Sequence, residues 1–301
     1  MSSGTALAIV LLLATVPACR DSRGESPAVP DTTVLAERES RLAESRTRSD
    51  TTTATPLARW VLPPMLAEIS GLAVTTDQRL LAHNDESGRI FEVDYRRGVV
   101  VKAFSLGPQL PRDDFEAIDI VGERIFLLAS TGAIYEFKEG KAGSQVRYTR
   151  HDTGLGQDCE FEGLAFDSTA NALVMGCKNI LTKGVKDVIL LYRFQLDSAA
   201  SPRVSQIRVP LERVVGSTQW KRFTPSDIAL DPASGDYVIV SAQEKGLLRI
   251  TRAGEVVWAR PLPPGHEMAE GVAITRDSLL IVSDESVSKG IPAAITVYRW
   301  R

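Results

Sequence analysis

The chain has 301 residues, 44% of them hydrophobic, and carries a net charge of −3. That length suits one large domain or two small ones. Lys and Arg are scattered in short clusters such as Arg96-Arg97 and Lys221-Arg222, so there is no basic stripe to bind nucleic acid.

The N-terminus reads as a leader. Ala6 to Val16 is an almost unbroken apolar run, followed by Pro17, Ala18 and Cys19. The run is too short to span a bilayer and fits the core of a signal peptide. A Cys directly after a small residue resembles a bacterial lipobox, in which Cys19 is lipidated after cleavage. Pro17 and the lack of a Lys or Arg ahead of the run depart from that pattern, so plain secretion and a cytoplasmic chain stay open. Arg20, not Asp, follows the Cys, so the usual inner-membrane retention signal is absent. The expectation is an exported lipoprotein of the cell envelope, in the periplasm or outer membrane, touching the membrane only through its lipid.

Residues 20–56 are expected to be a flexible tether. The stretch "ESRLAESRTRSDTTTATP" has no aromatic residue and offers too little apolar surface to offset the entropy of ordering. A short helix around Thr33 to Arg46 is compatible with the same sequence.

From residue 57 onward one pattern recurs five times: "EISGLAV" from Glu68, "DFEAIDI" from Asp114, "EFEGLAF" from Glu160, "TPSDIAL" from Thr224 and "MAEGVAI" from Met268. The steps are 46, 46, 64 and 44 residues. The long step holds extra material around Leu181 to Asp187 and Leu211 to Lys221, read as loop insertions. Each segment is followed by a turn and an apolar strand, such as "RLLAHND" or "SLLIVSD", then a third strand, and in most repeats a more exposed fourth. Four strands repeated five times predict an all-β, five-bladed propeller over residues 57–301. The fifth repeat stops at its third strand, "AAITVYRW". Residues near Leu57 to Leu62 share the L-P-P step of "WARPLPPGHEMAEGVA" and are expected to supply its fourth, closing the ring and removing a sheet edge.

In each first strand the third, fifth and seventh positions are expected on one face and small residues on the other. The third position holds Ser70, Glu116, Glu162, Ser226 and Glu270, so three glutamates should converge at one end of the channel. Glu68 sits two residues earlier, as do Asp114 and Glu160; Asp227 is an acidic exception on the small-residue face. Burying several carboxylates is costly without compensation, and no Lys or Arg recurs in the motif, although Lys178, Lys183 and Lys245 could reach from loops. Oxygen donors then suggest a hard cation, calcium before magnesium or manganese, with Glu116, Glu162, Glu270, Glu68 and Asp227 as candidate ligands. Capping of strand ends and proton-transfer chemistry are the competing readings.

No other constellation carries chemistry. "HEMAE" from His266 lacks the second His of a zinc protease, a Ser226–His266 nucleophile–base pair has no support, and "HNDES" from His83 and "SDES" from Ser283 read as solvated loops or as part of the same mouth. Cys159 and Cys177 flank the first two strands of the third repeat, where an antiparallel pairing brings them diagonally close enough for a disulfide; free thiols are the other reading.

The motifs "EISGLA", "DFEAIDI", "CEFEGLAF", "SDIAL" and "AEGVAI", in this order and spacing, resemble those of the SdiA-regulated (YjiK-like) family of exported bacterial proteins over about residues 57–301. The resemblance implies a five-bladed propeller with calcium in the channel region. Ser226-Asp227, where other repeats have Glu-Gly or Ser-Gly, makes the fourth blade's ligand the odd one. Three functions remain: a calcium-binding scaffold or binding module of the envelope, a calcium-dependent hydrolase of the phytase, esterase or lactonase kind, and a propeller whose carboxylates bind no metal. The expected partners are a calcium ion and an envelope ligand or small molecule, with the chain a monomer.

Overall fold

The computed structural model describes residues 30–48, 54–196, 203–287 and 290–301. Cys19 and its apolar run lie outside these residues. Five blades of four antiparallel strands form the propeller, and the short strand Gln145–Val146 adds in parallel to the outer edge of the first. The innermost strands are Ile69–Val74, Phe115–Val121, Cys159–Asp167, Asp227–Leu230 and Ala269–Ile274. Each touches the inner strand of the next blade, and the fifth returns to the first. The strand Pro56–Val61 pairs antiparallel with Ala294–Arg299 and completes blade 5 from the other end of the chain.

Sequence and burial agree on the order of the strands in a blade. Second strands such as Tyr237–Ser241 and Leu279–Asp284 are buried along their whole length, because blades cover both of their faces. They therefore read as continuous apolar runs. Outer strands such as Val204–Pro210 mix exposed and buried positions. The hydrophobic core is divided into five clusters, one between each adjacent pair of blades.

This division shows where the small residues of the inner strands pack. Each inner strand stands edge-on to the axis, so its two faces meet the two neighbouring blades. The fifth-position residues Leu72, Ile118, Leu164, Ile228 and Val272 pack toward the preceding blade, while Ala73, Ala165, Ala229 and Ala273 pack toward the following one. The seventh positions Val74, Ile120, Phe166, Leu230 and Ile274 line one end of the channel, around a cavity of about 150 Å³.

Two buried aspartates tie blades together. Asp119 accepts the amide of Phe166 in blade 3, at 2.5 Å, and that of Ile120. Asp227 accepts its neighbour Ile228 at 2.8 Å and Val272 of blade 5 at 2.9 Å. It also bonds the Leu164 amide of blade 3.

Within the segment expected to be a tether, Thr32–Thr47 form a helix (α1) capped by the Asp31 side chain on the Thr33 amide. Its mean hydropathy is low, and few contacts hold it to the propeller. Leu42 is buried, Arg46 pairs with Asp277 at 2.8 Å, and Glu39 with Arg97 at 2.8 Å. Arg38 donates to the Arg97 carbonyl and stacks over Trp60. The helix meets turns at the end of the propeller where inner strands finish, opposite the end where they begin. In the long insertion, Leu211–Val215 form a single helical turn.

Candidate functional site

The acidic residues gather at the end where inner strands begin. Four of these strands carry a β-bulge close to that end: between Ile69 and Gly71, Phe115 and Ala117, Phe161 and Leu164, and Ala269 and Gly271. The supernumerary residues are Ser70, Glu116, Glu270 and, in blade 3, one of Glu162 and Gly163. A bulge interrupts the alternation of a strand and re-aims a side chain. Glu162 is therefore not on the face of Leu164, as strict period-two counting expects. Gly163 has φ +87°, and a Cβ there would lie 2.9 Å from the Cα of Asp227, so the bulge in blade 3 requires glycine.

Glu116, Glu162 and Glu270 lie at the same mouth, near enough for their charges to act on one another. Glu162 is 3% exposed. Burial, followed by the charges of Asp114, Glu270 and Asp85, pushes Glu116 up to about 8. Burial raises Glu162 as well, with the negative charges of Glu116 and Glu270 adding to it. Glu270 is also raised by burial, though a hydrogen bond from Ser226 opposes the rise.

Among the described residues, Lys178 is the one cation whose charge acts on all three glutamates. Its Nζ forms an ion pair with Glu162 Oε1. Burial alone would lower this ammonium; the three glutamates outweigh that and raise it. Lys178 lies near the end of the second strand of blade 3, Ala172–Ile180, at a position equivalent to Asp85, Ser130 and Glu285. The amides of those three bond the carbonyls of Glu68, Asp114 and Met268 at 3.3, 2.8 and 2.9 Å. Asp85 is pushed up to about 6 and Glu285 to about 7, by burial first and by nearby carboxylates second. "HNDES" and "SDES" thus bring acids to the mouth, and their His83, Ser283 and Asp284 are buried, not solvated.

Glu68 lies on the exposed rim, where its charge acts on Asp85 and Glu285. Asp227 does not belong to this group. It is fully buried and its oxygens are taken by backbone amides of three strands, which makes it a tie between blades and not a ligand. Lys245 is exposed and pairs with Glu267 at 2.5 Å. His266 is engaged by Asp284 and Tyr298, both at 2.7 Å, and Ser226 Oγ accepts the Ala242 amide at 3.2 Å. No nucleophile–base pair forms between them. Cys159 and Cys177 are joined in a disulfide with Cα atoms 5.7 Å apart, immediately before Lys178.

Sequence reasoning has Lys178 reaching from a loop and the acids of "HNDES" and "SDES" at the mouth as one alternative, and does not place them at one repeat position. The signal lies in the aligned repeats, which hold Asp85, Ser130, Lys178, Ala242 and Glu285 at that position. The donor set, all oxygen apart from one amine, suits a hard cation. The charge balance suits one too, since the three glutamates face a single ammonium and Asp85 Oδ1 is buried without a hydrogen-bond partner. As arranged here, with Lys178 seated on Glu162, no three Asp, Glu, His or Cys side chains among the described residues stand together closely enough to enclose a metal ion.

A glutaminyl cyclase of Myxococcus xanthus superposes with a TM-score of 0.52 at 16% identity, covering 81% of this chain and 94% of that one; at that identity the likeness is one of fold alone. An aldose sugar dehydrogenase of Streptomyces coelicolor gives 0.48 at 13%, covering 80% and 98%. A gluconolactonase of Xanthomonas campestris gives 0.47 at 12%, covering 77% and 72%. No functionally curated protein matches the sequence. The profile of the SdiA-regulated family, however, matches residues 43–285, including all five repeat motifs, and the chain belongs to that family.

Proposed function

We propose that the acidic mouth is a cation site, with calcium as its ion, and that the propeller is a binding or scaffold module of the cell envelope. The observation that carries this reading is the ion pair of the buried Glu162 with Lys178, with Glu116 and Glu270 near enough for their charges to act on that ammonium. A buried cluster so short of positive charge favours binding of a divalent cation. Glu116, Glu162 and Glu270 would hold it, with Asp85 and Glu285 within electrostatic reach. Bound there, the ion would offset part of the negative charge of the mouth and link blades 2, 3 and 5, and Ser226 would orient Glu270 from blade 4. Envelope localisation rests on the Ala6–Val16 run and Cys19. Because α1 lies at the opposite end of the propeller, a chain anchored through Cys19 would turn the mouth away from the membrane.

The test is metal analysis and thermal melting of the purified protein before and after EGTA. Calcium at about one ion per chain, with a melting temperature that falls on chelation, is expected; no bound calcium and no shift would overturn the reading. For the anchor, replacing Cys19 with Ser should move the protein from the membrane to the soluble fraction, and an unchanged fractionation refutes it. One observation favours a hydrolase as second reading: Lys178 supplies the amine that a phosphate-cleaving site needs beside its metal. Turnover of phosphate esters, aryl esters or lactones that depends on calcium would support it; none across that panel argues for the binding module.

A further inference from the structure

We infer that Lys178 is an internal counter-ion that occupies the cation site of the empty propeller and must leave before a metal binds, so that it sets the affinity of the site. This rests on the cation reading above and adds the residue that regulates it. Glu162 is 3% exposed, and its Oε1 is paired with Lys178 Nζ. A metal that uses Glu162 has to take the place of the ammonium, because two cations on one buried carboxylate repel each other with little solvent to screen them. The same ammonium acts on Glu116 and Glu270 through its charge, so its departure leaves the mouth open to another cation.

The surroundings allow that departure without moving the fold. The Lys178 side chain is 30% exposed, which gives its charged end a way to water along a flexible stem. Its backbone is pinned by the adjacent Cys159–Cys177 disulfide, so exchange is a side-chain rotation. The equivalent positions Asp85, Ser130 and Glu285 carry no positive charge. Blade 3 alone therefore places a cation in the ring, beside the most buried of the three glutamates. The exchange raises the charge of the site by one: a +1 ammonium swings into solvent with its proton and a +2 ion enters.

Calcium alone is the probe, titrated into the wild-type chain and into Lys178→Met, which keeps the aliphatic stem. At neutral pH the variant should bind calcium about tenfold more tightly or better. In the wild type, calcium should raise the rate at which Lys178 is acetylated by an amine-reactive reagent, with Lys183 as the internal reference. Calcium binding by the wild type with equal or weaker affinity in the variant, and no change in Lys178 acetylation, overturns the inference while leaving the cation site standing. No calcium bound by either protein overturns both. Should Lys178→Met fail to fold, the acetylation of the wild type decides alone: no calcium-dependent release of Lys178 refutes the exchange.

Discussion

Removing the Lys178 charge from the metal-free protein should destabilise it in a pH-dependent way. In Lys178→Met, Glu162 keeps its burial but loses its ion pair. Deleting one partner of a buried pair costs about 3–5 kcal/mol, because the other charge is stranded. The 30% exposure of Lys178 lets solvent screen part of that, so about 2–3 kcal/mol is expected at pH 10, above the value of about 9 to which burial pushes Glu162. Near pH 5 the carboxyl is protonated with or without Lys178, and the difference should nearly vanish. For a propeller of this size the pH 10 loss corresponds to a melting temperature lower by about 4–10 °C. The assay is thermal unfolding in EGTA at both pH values. Adding Glu162→Gln to the variant should restore most of the loss at pH 10, since no buried charge remains. An equal loss at pH 5 and pH 10, or no recovery in the double variant, would show that Lys178 matters through packing and not through charge.

Four further outcomes are expected. Burial holds Glu116 at about 8 against an ordinary 4.5, so its contribution to stability is complete below pH 4.5 and is lost as pH rises through 8. Urea unfolding in EGTA should lose about 2–4 kcal/mol across that window, and a flat profile refutes the burial of this charge. Asp227→Ala strands amides in blades 3, 4 and 5 and should cost about 3–5 kcal/mol in urea unfolding; a loss under about 1 kcal/mol would mean that water replaces the carboxylate. The disulfide closes a loop of 18 residues, and its removal in Cys159→Ser/Cys177→Ser should cost about 3 kcal/mol; an unchanged melting temperature would refute that. Leu42→Asp should release α1, so that limited proteolysis cuts within residues 32–47 while the propeller melts within about 4 °C of the wild type. Protection of the helix in that variant would show that its arginine contacts suffice.

Much of the fold was legible because its signals are local. The apolar second strands and the spacing of the five motifs mark blades that each repeat a four-strand unit, and "LARWVLPP" against "WARPLPPG" reveals Pro56–Val61 as the strand that closes the ring. The pairing of Cys159 with Cys177 follows from hairpin geometry within one blade. The docking of α1 was not legible, since its polar contacts reach Arg97 and Asp277, more than fifty residues away. Asp227 looked like a ligand because its acidity is visible in sequence, whereas the amides of Leu164 and Val272 that occupy it come from other blades.

The glutamates show the same boundary most sharply. Their recurrence at one repeat position is a property of the sequence, and it determined that carboxylates would meet at a propeller mouth. How they meet was decided by the bulges at Glu116, Gly163 and Glu270, since one extra residue in a strand reverses the alternation that sequence counting assumes. The identity of their counter-ion was likewise a tertiary matter. Lys178 sits 16 residues from Glu162 and in a different blade from Glu116 and Glu270, and only the closed ring brings its charge within reach of all three.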